Sequence, residues 1–374
     1  MKKIKNGTVT TPKGFKAGGM ACGIKKSGKP DLALIFSEVP AAAAAVFTTN
    51  QYLAAPIIVS KENIKSGYCQ AIIANAGNAN CGTGKQGIAD AREMVDATAI
   101  ALKIKPKHVL VTSTGSIGKI MPMEIIVPAI GKLSKNISKD GGSAAARAIL
   151  TTDLVAKEIA VKVGNYTIAG IAKGSGMIHP GMATMHAFIT TDAEIDRQTL
   201  QYMLKRAVDH SFNMITVDQC MSTNDCVYLL ANGMSGISIE GPKKLNEFYK
   251  ALEYICDYLA EEIARDGEGA TQLIKVFVTG ARNEKEARIA ARAIAGNDLL
   301  KCAVYGRDYN PGRIYAAVGA TSAKINPSKL TSDMKFGKTE TIVTCDLGVG
   351  RAGAQAWGCD MTEGYIKINA RYHT

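Results

Sequence analysis

Tryptophan occurs once in this 374-residue chain, and aromatic residues make up only 6% of it. No apolar stretch approaches the roughly 18 residues that a membrane-spanning helix needs. Even AAAAAVF at 41–47 stops far short. The N-terminal MKKIKNGTVTTPKG has basic residues but no apolar run behind them, so it does not read as a secretory signal. The chain is therefore expected in the cytoplasm, with no membrane partner. Metal-ligand spacing is missing as well. There is no H-E-x-x-H, and His108, His179, His186, His210 and His373 follow no ligand pattern. The nine cysteines contain no C-x-x-C pair. An odd, scattered set fits reduced thiols used as core filler, rather than disulfides or zinc. No metal is expected. A histidine near a carboxylate and a serine in a familiar order is also absent, so local motifs assemble no Ser-His-Asp triad.

What the chain does have is a net charge of +12. Its lysines are dispersed, with short clusters at 2–5 and 103–107 and no basic helix interleaved with aromatics. That is read as a solvated surface, with no nucleic-acid partner and a mild positive field for carboxylate substrates. Short apolar runs ending in glycine turns at 70–77, 108–115, 227–233, 273–280, 313–319 and 341–348 are read as strands. Apolar stripes at helical spacing mark helices over 88–103, 194–209 and 243–264. The class is α/β or α+β, with several strands and covering helices. No low-complexity linker divides the chain. Its one mid-chain punctuation is the glycine- and proline-broken loop 174–181.

Two stretches fit G-x-G-x-x-G. GTGKQG (82–87) lies beyond its strand and has no acid about 20 residues on, as a dinucleotide site wants. GVGRAG (348–353) precedes no helix, and both are read as turns. Ser116-Ile-Gly-Lys119 matches S-x-x-K, but that chemistry needs the serine to open a helix, and Gly118 opposes one. The loop then runs through KGSGMIHPGMATM into MHAFIT, placing Thr184 at a loop-to-strand junction. A threonine that begins a chain carries its own base, because its α-amine, with a pKa of about 7.7–8.0, lies beside its hydroxyl. Thr184 would gain that amine only if the Ala183–Thr184 peptide were cut. Left uncut, it is an ordinary strand-start threonine.

KGSGMIHPGMATM closely resembles the processing motif of the glutamate N-acetyltransferase family, also called ornithine acetyltransferase. GFKAGGMACGIKKSGKPDLALIF (14–36), NAGNANCGTGKQG (75–87), VTSTGSIG (111–118), TTD (151–153), TVDQCMSTND (216–225), DGEGAT (266–271) and AWGCDMTEGYIKINARYHT (356–374) follow in that family's order. The resemblance implies an α/β fold of stacked sheets covered by helices, like that of N-terminal-nucleophile aminopeptidases. It implies self-cleavage into an α chain 1–183 and a β chain 184–374 that stay together, assembled as α2β2. Thr184 would carry the acetyl group of N-acetylornithine as an ester and pass it to glutamate in a ping-pong cycle. No cofactor is implied, although acetyl-CoA would be a second donor if the enzyme is bifunctional. Thr114 and Gly115 match the oxyanion-hole pair. Thr151, Lys173, Thr184, Glu268, Asn369 and Thr374 match substrate-binding positions, Lys173 suiting a carboxylate and Glu268 an amino group. The alternative is an aminopeptidase or amidase of similar fold, which would hydrolyse the acyl-enzyme. Gln219-Cys220-Met221, Pro311 and Arg351 depart from the family's pattern, which bears on substrate fit and packing.

Overall fold

The computed structural model describes residues 1–179 and 185–370. Among them, a nine-stranded and a five-stranded sheet carry the fold. The 16-residue strand Leu32–Phe47 organises the larger one. It pairs with Phe15–Met20 and Tyr68–Asn78 through its first half, and with Cys226–Ala231 through its second. Register breaks between Phe36 and Ala41, where Pro40 sits. Proline has no N–H to give a ladder, so it belongs at such a break.

The sheet is folded on itself there. Ile72, Ala74 and Leu110 of one half share a core with Ile171, Phe188, Tyr228 and Leu230 of the other. The Tyr228 hydroxyl donates across this interior to the Val111 carbonyl at 3.3 Å. His186–Thr191 lies between Tyr166–Lys173, antiparallel to it, and Cys226–Ala231, parallel to it. All six of its residues are buried, on both faces of the sheet.

Helices Arg197–His210 and Gly241–Arg265 pack on the large sheet, and the latter also touches the small one. Phe248, Leu252, Ile255, Leu259 and Ile263 recur every three or four residues along it and are fully buried. Truncating one of these to alanine removes roughly 2–5 kcal/mol of stability. Glu284–Gly296 packs on Leu273–Ala281 and Ala352–Cys359 of the small sheet. The Asn283 side chain opens that helix by accepting the Glu286 N–H.

The expected strand at 313–319 is instead part of the helix Pro311–Gly319. Pro311 presets the first turn, and Ile314, Ala317 and Val318 are buried at helical spacing. The other expected strands and all three helices are present. Ser116 ends a strand and the next helix starts at Met123, so Ser116–Lys119 does not open a helix. Among the described residues, no helix is long and apolar enough to cross a membrane.

Candidate functional site

The strand Val109–Ser116 runs parallel to Tyr68–Asn78 and ends beside it. Gly115 has φ +136° and Gly77 φ +107°, values that favour glycine. A Cβ on Gly115 would come within 2.3 Å of the Gly77 carbonyl carbon. The two strand ends pass this closely because Gly115 has no side chain, while a Cβ on Gly77 would meet Ile24 and Lys25 instead. Thr114, one residue before, is 2% exposed. Asn224 holds the turn from the other half of the sheet, its amide donating to the Ala79 carbonyl at 2.6 Å and the Ser113 carbonyl at 2.8 Å. Gly115→Ala must therefore push the two strand ends apart. With the oxyanion role that the resemblance implies for Gly115, the variant is expected to stay folded and to lose roughly 10²–10³ in acyl transfer, the loss typical of one misplaced donor. Steady-state kinetics would check this.

A second wall comes from residues 151–157 and 173–178. Lys173 ends its strand 1% exposed, with Nζ 3.8 Å from Asp153 Oδ2. Asp153 also accepts from Lys157 Nζ at 2.8 Å, the Gly174 N–H at 2.6 Å and the Thr151 N–H at 3.0 Å. Lys157 reaches Asp266 Oδ2 at 2.6 Å. The result is a buried row of alternating charge, Lys173–Asp153–Lys157–Asp266. Burial opposes ionisation of Asp153, but Lys173 and Lys157 outweigh it and hold the carboxyl well below the usual range. Burial lowers the Lys173 ammonium, while Asp153 works against that shift. The loop after Lys173 is pinned by Asp218, which accepts the Met177 and Ile178 N–H groups at 2.6 and 2.8 Å. Gly176 lies against Glu268, whose Oε2 a Cβ would approach to 2.2 Å.

Thr184 and Ala183 lie outside the described residues, as does Thr374. Met185, the next residue after Thr184, is fully buried and donates its N–H to Asp225 Oδ1 at 3.0 Å. The other oxygen of Asp225 is buried without a partner among the described residues. Burial pushes this carboxyl well above its usual range, against the Met185 N–H, Ser222 and Lys173. His186 is also buried, with Nδ1 2.9 Å from Thr112 Oγ1. Burial, then Lys173, lowers its imidazole to about 3. An unfolded histidine takes up a proton below about 6.5, whereas folded His186 resists it down to about 3. Its contribution to stability is thus complete above pH 6.5 and is lost as pH falls through that window. Denaturation at pH 7 and 4.5 should show a decline that His186→Gln makes shallower; parallel pH dependences would contradict this.

These walls enclose a cavity of about 530 Å³. Thr114, Gly115, Thr151, Glu268 and Asn369 all line it, and Asn369 Nδ2 donates to Glu268 Oε2 at 2.8 Å. Five residues singled out in the sequence thus meet at one place. Lys173 stands behind the lining, directed at Asp153. Ser116 and Lys119 line the cavity too, although S-x-x-K geometry is lacking. Sequence reasoning missed Asp153, Asn224 and Asp225, which hold the walls; the stretches TTD and TND contained them without marking their partners. Of the departures, Gln219 turns away and donates to Asp298 Oδ1 at 3.0 Å, while Cys220 is exposed. Pro311 opens a helix, and Arg351 lies exposed in a bend.

The model of the ArgJ family matches residues 16–338 and 331–374. The chain is similar to the arginine biosynthesis bifunctional protein ArgJ of Dehalococcoides mccartyi, at 45% identity, over 99% of this chain and 98% of the relative. The chain belongs to the ArgJ family. The ArgJ protein of Caldanaerobacter subterraneus is 44% identical over the full length of both chains. Ornithine acetyltransferase of Mycobacterium tuberculosis, solved with ornithine, is 40% identical with a TM-score of 0.47, over 48% of this chain and 97% of that chain. As an ArgJ family member, the chain is an acyltransferase of arginine biosynthesis.

Proposed function

We propose that the chain cuts itself between Ala183 and Thr184 and then moves an acetyl group from N-acetylornithine to glutamate. What supports this reading is the meeting of Thr114, Gly115, Thr151, Glu268 and Asn369 on one cavity, in a chain of the ArgJ family. The new α-amine of Thr184 takes the hydroxyl proton as Oγ attacks the acetyl carbonyl. The Gly115 N–H and Thr114 hydroxyl receive the developing oxyanion. The C–N bond then breaks, ornithine leaves with the proton, and the acetyl group remains as a threonine ester. The glutamate amine attacks that ester, and the proton returns to Oγ as N-acetylglutamate departs. Glu268, with Asn369 on its Oε2, faces the substrate's ammonium, and the Thr151 hydroxyl lies on the same wall. The buried charge of Lys173 favours a carboxylate there. Thr374 would complete this set.

The two fragments are proposed to remain together as α2β2 in the cytoplasm, with no cofactor. The relatives' name, bifunctional, supports acetyl-CoA as a second donor to the same threonine. Glutamate acetylation with acetyl-CoA as sole donor is the expected result; no turnover would leave only the exchange.

Incubation with N-acetylornithine followed by denaturing mass spectrometry tests the main reading. Fragment 184–374 should gain one acetyl group, and glutamate should remove it while N-acetylglutamate forms. Free acetate appearing without glutamate would point to a hydrolase, and no acetyl-enzyme with no transfer would refute the mechanism.

A further inference from the structure

A second cavity, of about 320 Å³, lies at the side of the small sheet and shares no lining residue with the first. Trp357, from the strand Ala352–Cys359, and Arg288, from the helix Glu284–Gly296, line it together. Trp357 is 2% exposed, and its indole N–H has no acceptor among the described residues. The Arg288 Nε–H is likewise buried and without a partner among the described residues, while Nη1 donates to the Asp209 carbonyl at 3.4 Å and lies 3.9 Å from Glu284 Oε1. An unpaired buried donor typically costs about 1–3 kcal/mol, so two around one cavity call for an acceptor between them.

The rest of the lining asks for the opposite charge. Asp257 and Glu284 line the same space, beside His210 and the amide of Gln355. His210 Nε2 sits 2.7 Å from Glu284 Oε1, and its Nδ1 lies 3.8 Å from Glu253 Oε1. Burial, then Glu253 and Glu261, pushes the Asp257 carboxyl up to about 7. Carboxylates crowded in this way are relieved by a cation.

We propose that this cavity binds a small α-amino acid, its carboxylate on Arg288 and Trp357 and its ammonium toward Asp257 and Glu284. Arginine suits a carboxylate through its planar donors. The strand that carries Trp357 also leads toward the second wall of the first site. Trp357 pairs with Ile215, three residues before Asp218, and Cys359–Asp360 lead to the loop that carries Glu268.

Trp357 is the chain's one tryptophan, so its emission reports on this cavity directly. L-lysine is titrated at fixed ionic strength, with acetate and methylamine as single-charge controls. The expected result is a saturable change in emission that persists in Glu268→Gln and weakens at least tenfold in Arg288→Ala and Arg288→Lys. No saturable change would overturn the proposal. So would the same response to acetate alone, or loss of the response in Glu268→Gln, which would place the ligand in the first cavity. Failure of acetyl transfer to depend on Thr184 would refute the catalytic reading and leave this one standing.

Discussion

Thr184→Ala is expected to leave the chain whole and to reduce acetyl transfer by roughly 10⁴-fold or more, the size of loss seen when a nucleophile is removed. Two losses share one atom. In the proposed mechanism the hydroxyl that attacks the preceding peptide is also the one that attacks the substrate, and without cleavage there is no α-amine to take its proton. Thr184→Ser should keep both acts, more slowly, because the hydroxyl and the amine are both retained. Alanine cannot. The alanine chain should still fold, since the surrounding frame is fixed elsewhere: Met185 on Asp225, Ile178 on Asp218, and His186 on Thr112. A matched circular dichroism spectrum with no transfer is the expected pair of results. Full transfer by Thr184→Ala would mean that another residue carries the acetyl group.

The second large effect is expected at Asp153, through stability rather than chemistry. Its carboxylate is fully buried between Lys157 and Lys173, and it accepts the N–H groups of Thr151 and Gly174. Removing one partner of a buried ion pair leaves an uncompensated charge, which costs about 3–5 kcal/mol. Asp153→Ala should therefore be destabilised by about that amount in urea, with Asp266 left to serve Lys157 alone. Asp153→Asn keeps the shape and some hydrogen bonds, so it should fall between alanine and wild type. Because Asp153 is depressed in the fold, its contribution is present above the ordinary carboxylate pKa of about 3.9 and is lost as pH falls below it. The asparagine variant should accordingly lose less stability on acidification than the wild type. A change under about 1 kcal/mol in Asp153→Ala would show that the row of charges is not a unit.

The elements were legible where apolar pattern and punctuation agreed. The apolar alternation of MHAFIT after the glycine- and proline-broken loop reads as the start of a strand, and the strand His186–Thr191 lies there. The stripe over 243–264 reads as a helix because its period matches one face. The stretch 313–319 misled because short apolar runs fit either period, and the deciding residue, Pro311, lay just upstream. The site was legible in a different way. Thr114, Gly115, Thr151, Glu268 and Asn369 were named through family motifs, and nothing in their spacing places them together. Their meeting depends on the fold of the large sheet at the Pro40 break, which brings Asn224 onto Ser113 from more than a hundred residues away. Asp153 and Asp225 went unmarked for the same reason. Each is an ordinary acidic residue in sequence, and only burial against Lys173 or Met185 gives it a task.

The most direct test is the intact mass of the purified wild-type protein under denaturing conditions, with N-terminal sequencing of its products. Two fragments spanning 1–183 and 184–374, the second beginning with Thr184, are the predicted result. A single full-length species that nonetheless transfers acetyl groups would contradict it, because Thr184 would then act without the α-amine assigned here as its base.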